Sequence, residues 1–230
     1  MTHADDSVAC ILCVEPDQEA RALLEEVLSG YRTVFACSAY EAIRELNRLT
    51  YDSYMLECWL PDMTGVQLCR EIRKADPQGP LVFCTGAARQ QDRARGLRAG
   101  ASAYLCKPIN PPVLLSQLRV LLELAELESA RAKVELERVL QAEFAKRAAD
   151  ILKRTGVERQ SAGRAMERIC KVKASDAFTR AGGTRAHLQR YWAAAFAGAW
   201  AAYEKPSDRG FPEQRDPATR SLDDTSEQSS

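Results

Sequence analysis

The chain has 230 residues, enough for one ordinary domain plus a smaller element, and its 32 basic and 32 acidic side chains give a formal charge of zero. No stretch of about 18 apolar residues occurs, and residues 1–7 are polar and acidic without a signal peptide's apolar core, so a cytoplasmic protein without a membrane span is expected. The zero is a balance of unlike parts: residues 1–111 carry 12 basic against 15 acidic side chains, 112–205 carry 17 against 11, and 206–230 carry 3 against 6.

In chain order, short apolar runs alternate with amphipathic stretches as far as residue 111. Strands are predicted over residues 8–14, 33–36, 53–56, 81–84 and 103–105, and helices over 18–28, 39–49, 66–74 and 91–99, the last stopped by Gly100. Strands separated by helices of about ten residues predict an α/β fold, a five-stranded parallel sheet with helices on both faces, whose site sits at the carboxyl ends of the strands. Seven of the eight cysteines lie here: Cys10, Cys13, Cys37, Cys58, Cys69, Cys84 and Cys106. Cys10 and Cys13 have C-x-x-C spacing, but inside a strand that spacing points them to opposite faces. That suits small buried hydrophobes rather than a metal or redox pair.

Beyond Pro112 the pattern changes. Leu115, Leu118, Leu122, Ala125, Ser129, Ala132, Leu136 and Val139 follow a 3-4 spacing, and no Gly or Pro interrupts residues 113–155. One long helix over 112–155 is predicted, starting as the last helix of the α/β domain (8–124) and continuing as a dimerising coiled coil. An amphipathic helix packed on its own domain fits the same spacing, and the small centre weakens a two-chain seam. Thr155-Gly156 marks a stop, a helix follows over 162–172, and Gly182-Gly183 breaks the chain again. Residues 187–203 carry Tyr191, Trp192, Phe196, Trp200 and Tyr203 at helical spacing, suited to the core of a small all-helical unit over 156–205. Residues 1–7 and 206–230 are expected to be disordered.

Three segments at strand ends carry the chemistry. The third strand runs into Glu57-Cys58-Trp59-Leu60-Pro61-Asp62-Met63-Thr64-Gly65, Thr85 follows the fourth, and Tyr104-Leu105-Cys106-Lys107-Pro108 spans the fifth. In this order and spacing they resemble the receiver domain of two-component response regulators, over about residues 8–124. The resemblance implies a flavodoxin-like fold, Thr85 as switch hydroxyl, Tyr104 as the aromatic that follows it, Lys107 as the phosphoryl contact, and a cis Lys107–Pro108 bond. It also implies a phosphoryl-accepting aspartate and an acidic pair holding Mg²⁺ at the end of the first strand.

The departures fall on that chemistry. Glu57 stands where the aspartate is expected, and Glu15-Pro16, followed by Asp17, stands where the acidic pair is expected. Glu15 keeps a carboxylate, Pro16 supplies neither charge nor a backbone donor, and Asp17 occupies a position that is not usually a metal ligand. Mg²⁺ binding should be weakened, and no other cofactor is expected. Glu57 displaces its carboxylate by about one C–C bond, and misplacement on the order of 1 Å can cost ~10²-fold in rate. Efficient phosphorylation is therefore not expected, with phosphoryl transfer to Glu57 as an alternative. Glu57 then either mimics the phosphorylated state, with about −1 charge against about −2, or forms a structural ion pair with Lys107 in a fixed scaffold.

The basic excess lies in residues 144–190, with 12 basic against 4 acidic side chains. Lys146, Arg147, Lys153, Arg154, Arg164, Arg168, Lys171 and Lys173 are candidate phosphate contacts, although such side chains on helices also make ordinary solvated faces. Residues 142–181 resemble the RNA-binding ANTAR output domain of antiterminators at Ile151-Leu152, Arg154, Gly156-Val157, Ala162 and Met166, and depart from it at Gly163. An enzyme is not expected: the histidines are His3 and His187 alone, and neither a phosphate-cradling loop nor a nucleophile–base pair is evident. These features imply a response-regulator-like signalling protein, homodimeric, whose helical module docks a protein partner of a two-component-type circuit. RNA binding by an antiterminator is the alternative.

Overall fold

A computed structural model describes residues 8–155 and 159–204; for residues 145–155, 159–165, 169, 203 and 204 it describes the backbone alone. The two segments expected to be disordered, 1–7 and 206–230, lie outside the described residues. The first half is the expected α/β fold: β1 (Cys10–Val14), α1 (Gln18–Val27), β2 (Arg32–Ala36), α2 (Ala39–Leu46), β3 (Ser53–Leu56), α3 (Gly65–Ala75), β4 (Leu81–Thr85), α4 (Gln90–Arg98) and β5 (Ala103–Cys106). The strands form one parallel sheet in the order β2-β1-β3-β4-β5.

Because side chains alternate across a strand, each strand feeds two cores. Leu12, Val14, Tyr54, Leu56, Leu81 and Phe83 pack with α2 and α3, while Ile11, Cys13, Met55, Val82 and Cys84 pack with Leu24, Leu28, Leu114 and Leu118. Cys10 belongs to the first core and Cys13 to the second, on opposite faces of β1. Burial pushes the Cys84 thiol up to about 12 and the Cys13 thiol higher still, which leaves both as inert packing groups.

The second half is three helices: α5 (Pro111–Thr155), α6 (Arg159–Arg180) and α7 (Arg185–Glu204). The long helix is present as expected, α6 is longer than the 162–172 reading, and Gly182 makes the turn before α7 with φ +96°. The 3-4 face of α5 is covered from within its own chain. Leu115, Leu118 and Leu122 pack on the α/β domain, whereas Ala132, Leu136, Val139, Leu140 and Phe144 are covered by α6 and α7. The small centre explains this. Ser129 is fully buried and its hydroxyl accepts from Thr184 N–H (3.2 Å), so the α6–α7 turn sits where a large side chain would block it. The seam read as a coiled coil is thus the packing face of an intrachain bundle.

The aromatic helix supplies that bundle's core, with Phe144 against Phe196 (5.4 Å between ring centroids) and Trp200 (5.8 Å). His187 is structural: its Nδ1 lies 2.8 Å from Thr184 Oγ1 and its ring stacks on Tyr191 at 5.8 Å. The bundle is also fastened to the amino-terminal edge of the sheet. Asp76, fully buried, accepts from Tyr54 OH (3.0 Å), Gly79 N–H (3.1 Å) and Arg185 N–H (3.2 Å). Asp52 accepts from Cys10 N–H (2.8 Å) and pairs with the Arg190 guanidinium.

Candidate functional site

At the opposite, carboxyl-terminal edge, parallel strands ending side by side bring distant residues together. Glu57, one residue past β3, stays in register because its N–H donates to Val14 O (2.9 Å). The loop after it folds back so closely that a Cβ at Gly65 would lie 2.1 Å from Glu57 O, so only glycine starts α3 here. Thr64 then caps α3, its hydroxyl accepting from Gln67 N–H (3.3 Å).

The Glu57 carboxylate is buried and fully engaged. Its Oε1 accepts from Cys58 N–H (2.7 Å) and from the Thr85 hydroxyl, while Oε2 pairs with Lys107 Nζ (2.9 Å). Lys107 Nζ also meets Glu15 Oε2 at 2.6 Å, so one ammonium bridges both carboxylates. Desolvation pulls the Lys107 pKa down, but hydrogen bonds to Glu15 and Glu57, with their charges, outweigh it and hold the group above the ordinary lysine value. The Lys107–Pro108 bond is cis.

Thr85 and Tyr104 both face inward. Thr85 is fully buried, donates to Glu57, and its oxygen accepts from Ala87 N–H (3.1 Å). Tyr104 is 4% exposed; its hydroxyl donates to Ala87 O (2.7 Å) and lies 3.4 Å from Cys58 Sγ. Its ring packs at 5.5 Å on Phe83 and covers Gly96, where a Cβ would come within 3.0 Å of it. Burial, followed by the Cys58 contact, raises the Tyr104 pKa well above the ordinary tyrosine range.

Of the residues singled out from sequence, Glu15, Glu57, Thr85, Tyr104 and Lys107 converge on this one pocket. Asp17 does not join the acidic remnant. Its carboxylate caps α1, accepting from Ala20 N–H (2.8 Å), because Pro16 turns the chain straight into the helix. Cys58 and Ala87, which hold Tyr104, were not singled out; a loop residue whose role is made by its backbone carbonyl leaves no trace in its side-chain type. Asp52 and Asp76 were also missed, since a buried acid reads like any loop acid until its donors are located. Among the basic candidates, Arg168 and Lys171 are exposed and Lys173 pairs with Glu143 (3.4 Å). The side chains of Lys146, Arg147, Lys153, Arg154 and Arg164 lie outside the described residues, as do those of most of the ANTAR-like positions.

Residues 11–119 match the response regulator receiver domain family. The transcriptional regulatory protein AfsQ1 of Streptomyces coelicolor is 33% identical over 121 residues, covering 52% of this chain and 53% of that protein. Response regulator MprA of Mycobacterium leprae is 32% identical over 126 residues, covering 54% of this chain and 55% of that protein. The chain therefore spans about half the length of these curated relatives. A crystal structure of a CheY-like response regulator receiver domain protein from Methanospirillum hungatei matches with a TM-score of 0.51 at 29% identity, covering 53% of this chain and 99% of that one. No helix among the described residues is long and apolar enough to cross a membrane. Residues 11–119 of this chain are a response regulator receiver domain.

Proposed function

We propose that the protein is a non-enzymatic signal-transduction protein whose receiver is held in one conformation by Glu57 and is read by a protein partner without phosphoryl transfer. The observation that carries this reading is the Thr85 hydroxyl donated to Glu57 with Tyr104 buried behind it. In a receiver of the usual kind the phosphoryl group draws the switch hydroxyl inward and the aromatic follows; here an unmodified carboxylate makes that contact. The fixed scaffold and the phosphoryl mimic, opposed as readings of the sequence, become one: Lys107 supplies the ion pair and Thr85 the inward state.

The donor set also argues against Mg²⁺ assistance. Glu15 and Glu57 share the Lys107 ammonium, Pro16 adds no oxygen side chain, and Asp17 is spent on the α1 cap. A hard cation wanting about six oxygens finds two carboxylates that already share one ammonium, whose charge opposes its entry. Incubating the purified chain with acetyl phosphate and Mg²⁺ and measuring intact mass should give no phosphoryl adduct; a stoichiometric adduct on Glu57 overturns the reading.

A second reading, an RNA-binding antiterminator, rests on the basic excess of residues 144–190 and the exposed Arg168 and Lys171. Titrating the full chain against RNA hairpins and matched duplex DNA at two salt concentrations separates the two, because only RNA readout gives hairpin preference beyond a salt-sensitive background.

A further inference from the structure

A cleft of about 330 Å³ opens between α3 and α4, beside the pocket that holds Glu57. Val66 and Arg70, one turn apart on α3, line one side, and Asp92 and Arg95, one turn apart on α4, line the other. The loop after β3 adds Trp59, which is 64% exposed although its backbone is pinned by a bridge to Thr64. Cys58 and Ala87, both buried, form the floor. That floor is shared with the Glu57 clamp. Cys58 and Trp59 turn their N–H groups to Glu57 Oε1 at 2.7 and 3.4 Å, and Ala87 donates to Thr85 Oγ1 and accepts from Tyr104 OH.

We propose that this cleft binds an aromatic monocarboxylate and that the occupant addresses the Glu57-held switch; the second half rests on the proposed function, the first does not. Three features select that chemistry. The lining is largely apolar, and a tryptophan left mostly in solvent offers a flat face on which a ring stacks. The rim is cationic: two guanidiniums, Arg70 and Arg95, against the one carboxylate of Asp92 leave a single positive charge, the complement of one carboxylate. Both guanidiniums are also available. Arg95 meets Asp92 only at 3.8 Å, with its side chain 64% exposed, and Arg70 has no hydrogen bond or ion pair among the described residues. Inorganic phosphate would find no partner for its second charge and would leave the apolar lining unused.

Isothermal titration calorimetry of the full chain with 2-naphthoate tests the site. The wild type should bind one equivalent, with 2-naphthylmethanol, its neutral counterpart, at least ~10-fold weaker, as loss of a charge-assisted bond requires. Trp59→Ala and Arg70→Ala, both at exposed positions that leave the apolar cores intact, should each weaken 2-naphthoate by a similar ~10-fold. Arg93→Ala, at an exposed arginine of α4 outside the cleft, should leave it unchanged. No binding by the wild type at millimolar 2-naphthoate, or binding that survives both lining substitutions, overturns the site. Bound 2-naphthoate should also slow amide exchange over residues 85–89, and binding without that change overturns the regulatory half. A phosphoryl adduct on Glu57 would instead overturn the proposed function, and the regulatory half with it, while the calorimetry still decides the site.

Discussion

Replacing Glu57→Asp together with Pro16→Asp should convert the protein into an acceptor of phosphoryl groups from acetyl phosphate in the presence of Mg²⁺. Shortening the side chain alone returns the nucleophilic oxygen to the family's position and withdraws it from Thr85. The cation site would still lack an acid, because residue 16 would remain proline. Restoring the acid alone leaves the longer carboxylate clamped by Lys107 and Thr85. Both defects sit on the same transferred group, so their repair should be more than additive. Correcting a displacement on the order of 1 Å recovers about 10²-fold in rate, and the metal adds charge neutralisation that neither single variant obtains. Adduct formation followed by intact mass should be at least ~10²-fold faster in the double variant than in the wild type, with both single variants much nearer the wild type. Equal rates in the double and either single variant would show that only one of the two departures matters.

Asp76→Ala should be the most destabilising single substitution outside the apolar cores. The carboxylate is fully buried and serves three donors from three parts of the chain: Tyr54 OH on β3, Gly79 N–H before β4 and Arg185 N–H at the start of α7. Its removal leaves those donors without their acceptor, at a cost of about 3 kcal/mol. That corresponds to a melting temperature lower by roughly 10 °C for a chain of this size. Two companion variants locate the effect. Asp76→Asn keeps an acceptor oxygen and should lose about half as much. Arg185→Ala should change little at this contact, since the bond comes from its backbone amide. Scanning calorimetry of the three variants gives that order, and an Arg185→Ala loss equal to that of Asp76→Ala would relocate the contact to the side chain.

The receiver fold was legible because each strand is a short apolar run and each turn carries its own punctuation. Ser53–Leu56 was read with the observed bounds, and the other strands and helices of the first half differ by a few residues at their ends. The pocket was legible too, since Glu57, Thr85, Tyr104 and Lys107 fall at successive strand ends, and parallel strands place such ends together. What periodicity could not decide was the partner of α5. Leu118, Ala125, Ser129, Ala132 and Leu136 repeat alike whether they meet another chain or α6 and α7, and the tertiary contacts that separate the two, the cover of Ala132 and Leu136 and the Ser129–Thr184 bond, leave no local pattern. The clasp of Asp52 and Asp76 was hidden for a related reason: its partners lie 138 and 109 residues away in sequence, beyond any local pattern.

In the proposed function Glu57, not a phosphoryl group, holds Thr85 and Tyr104 inward. Amide hydrogen–deuterium exchange over residues 85–89, in the wild type and in Glu57→Ala, with and without acetyl phosphate and Mg²⁺, tests it most directly. The wild-type loop should keep its protection when the phosphodonor is added, and the Glu57→Ala loop should exchange at least ~10-fold faster, as loss of a charge-assisted hydrogen bond worth about 1.5 kcal/mol requires. A wild-type loop that responds to the phosphodonor, or a Glu57→Ala loop as protected as the wild type, would contradict it.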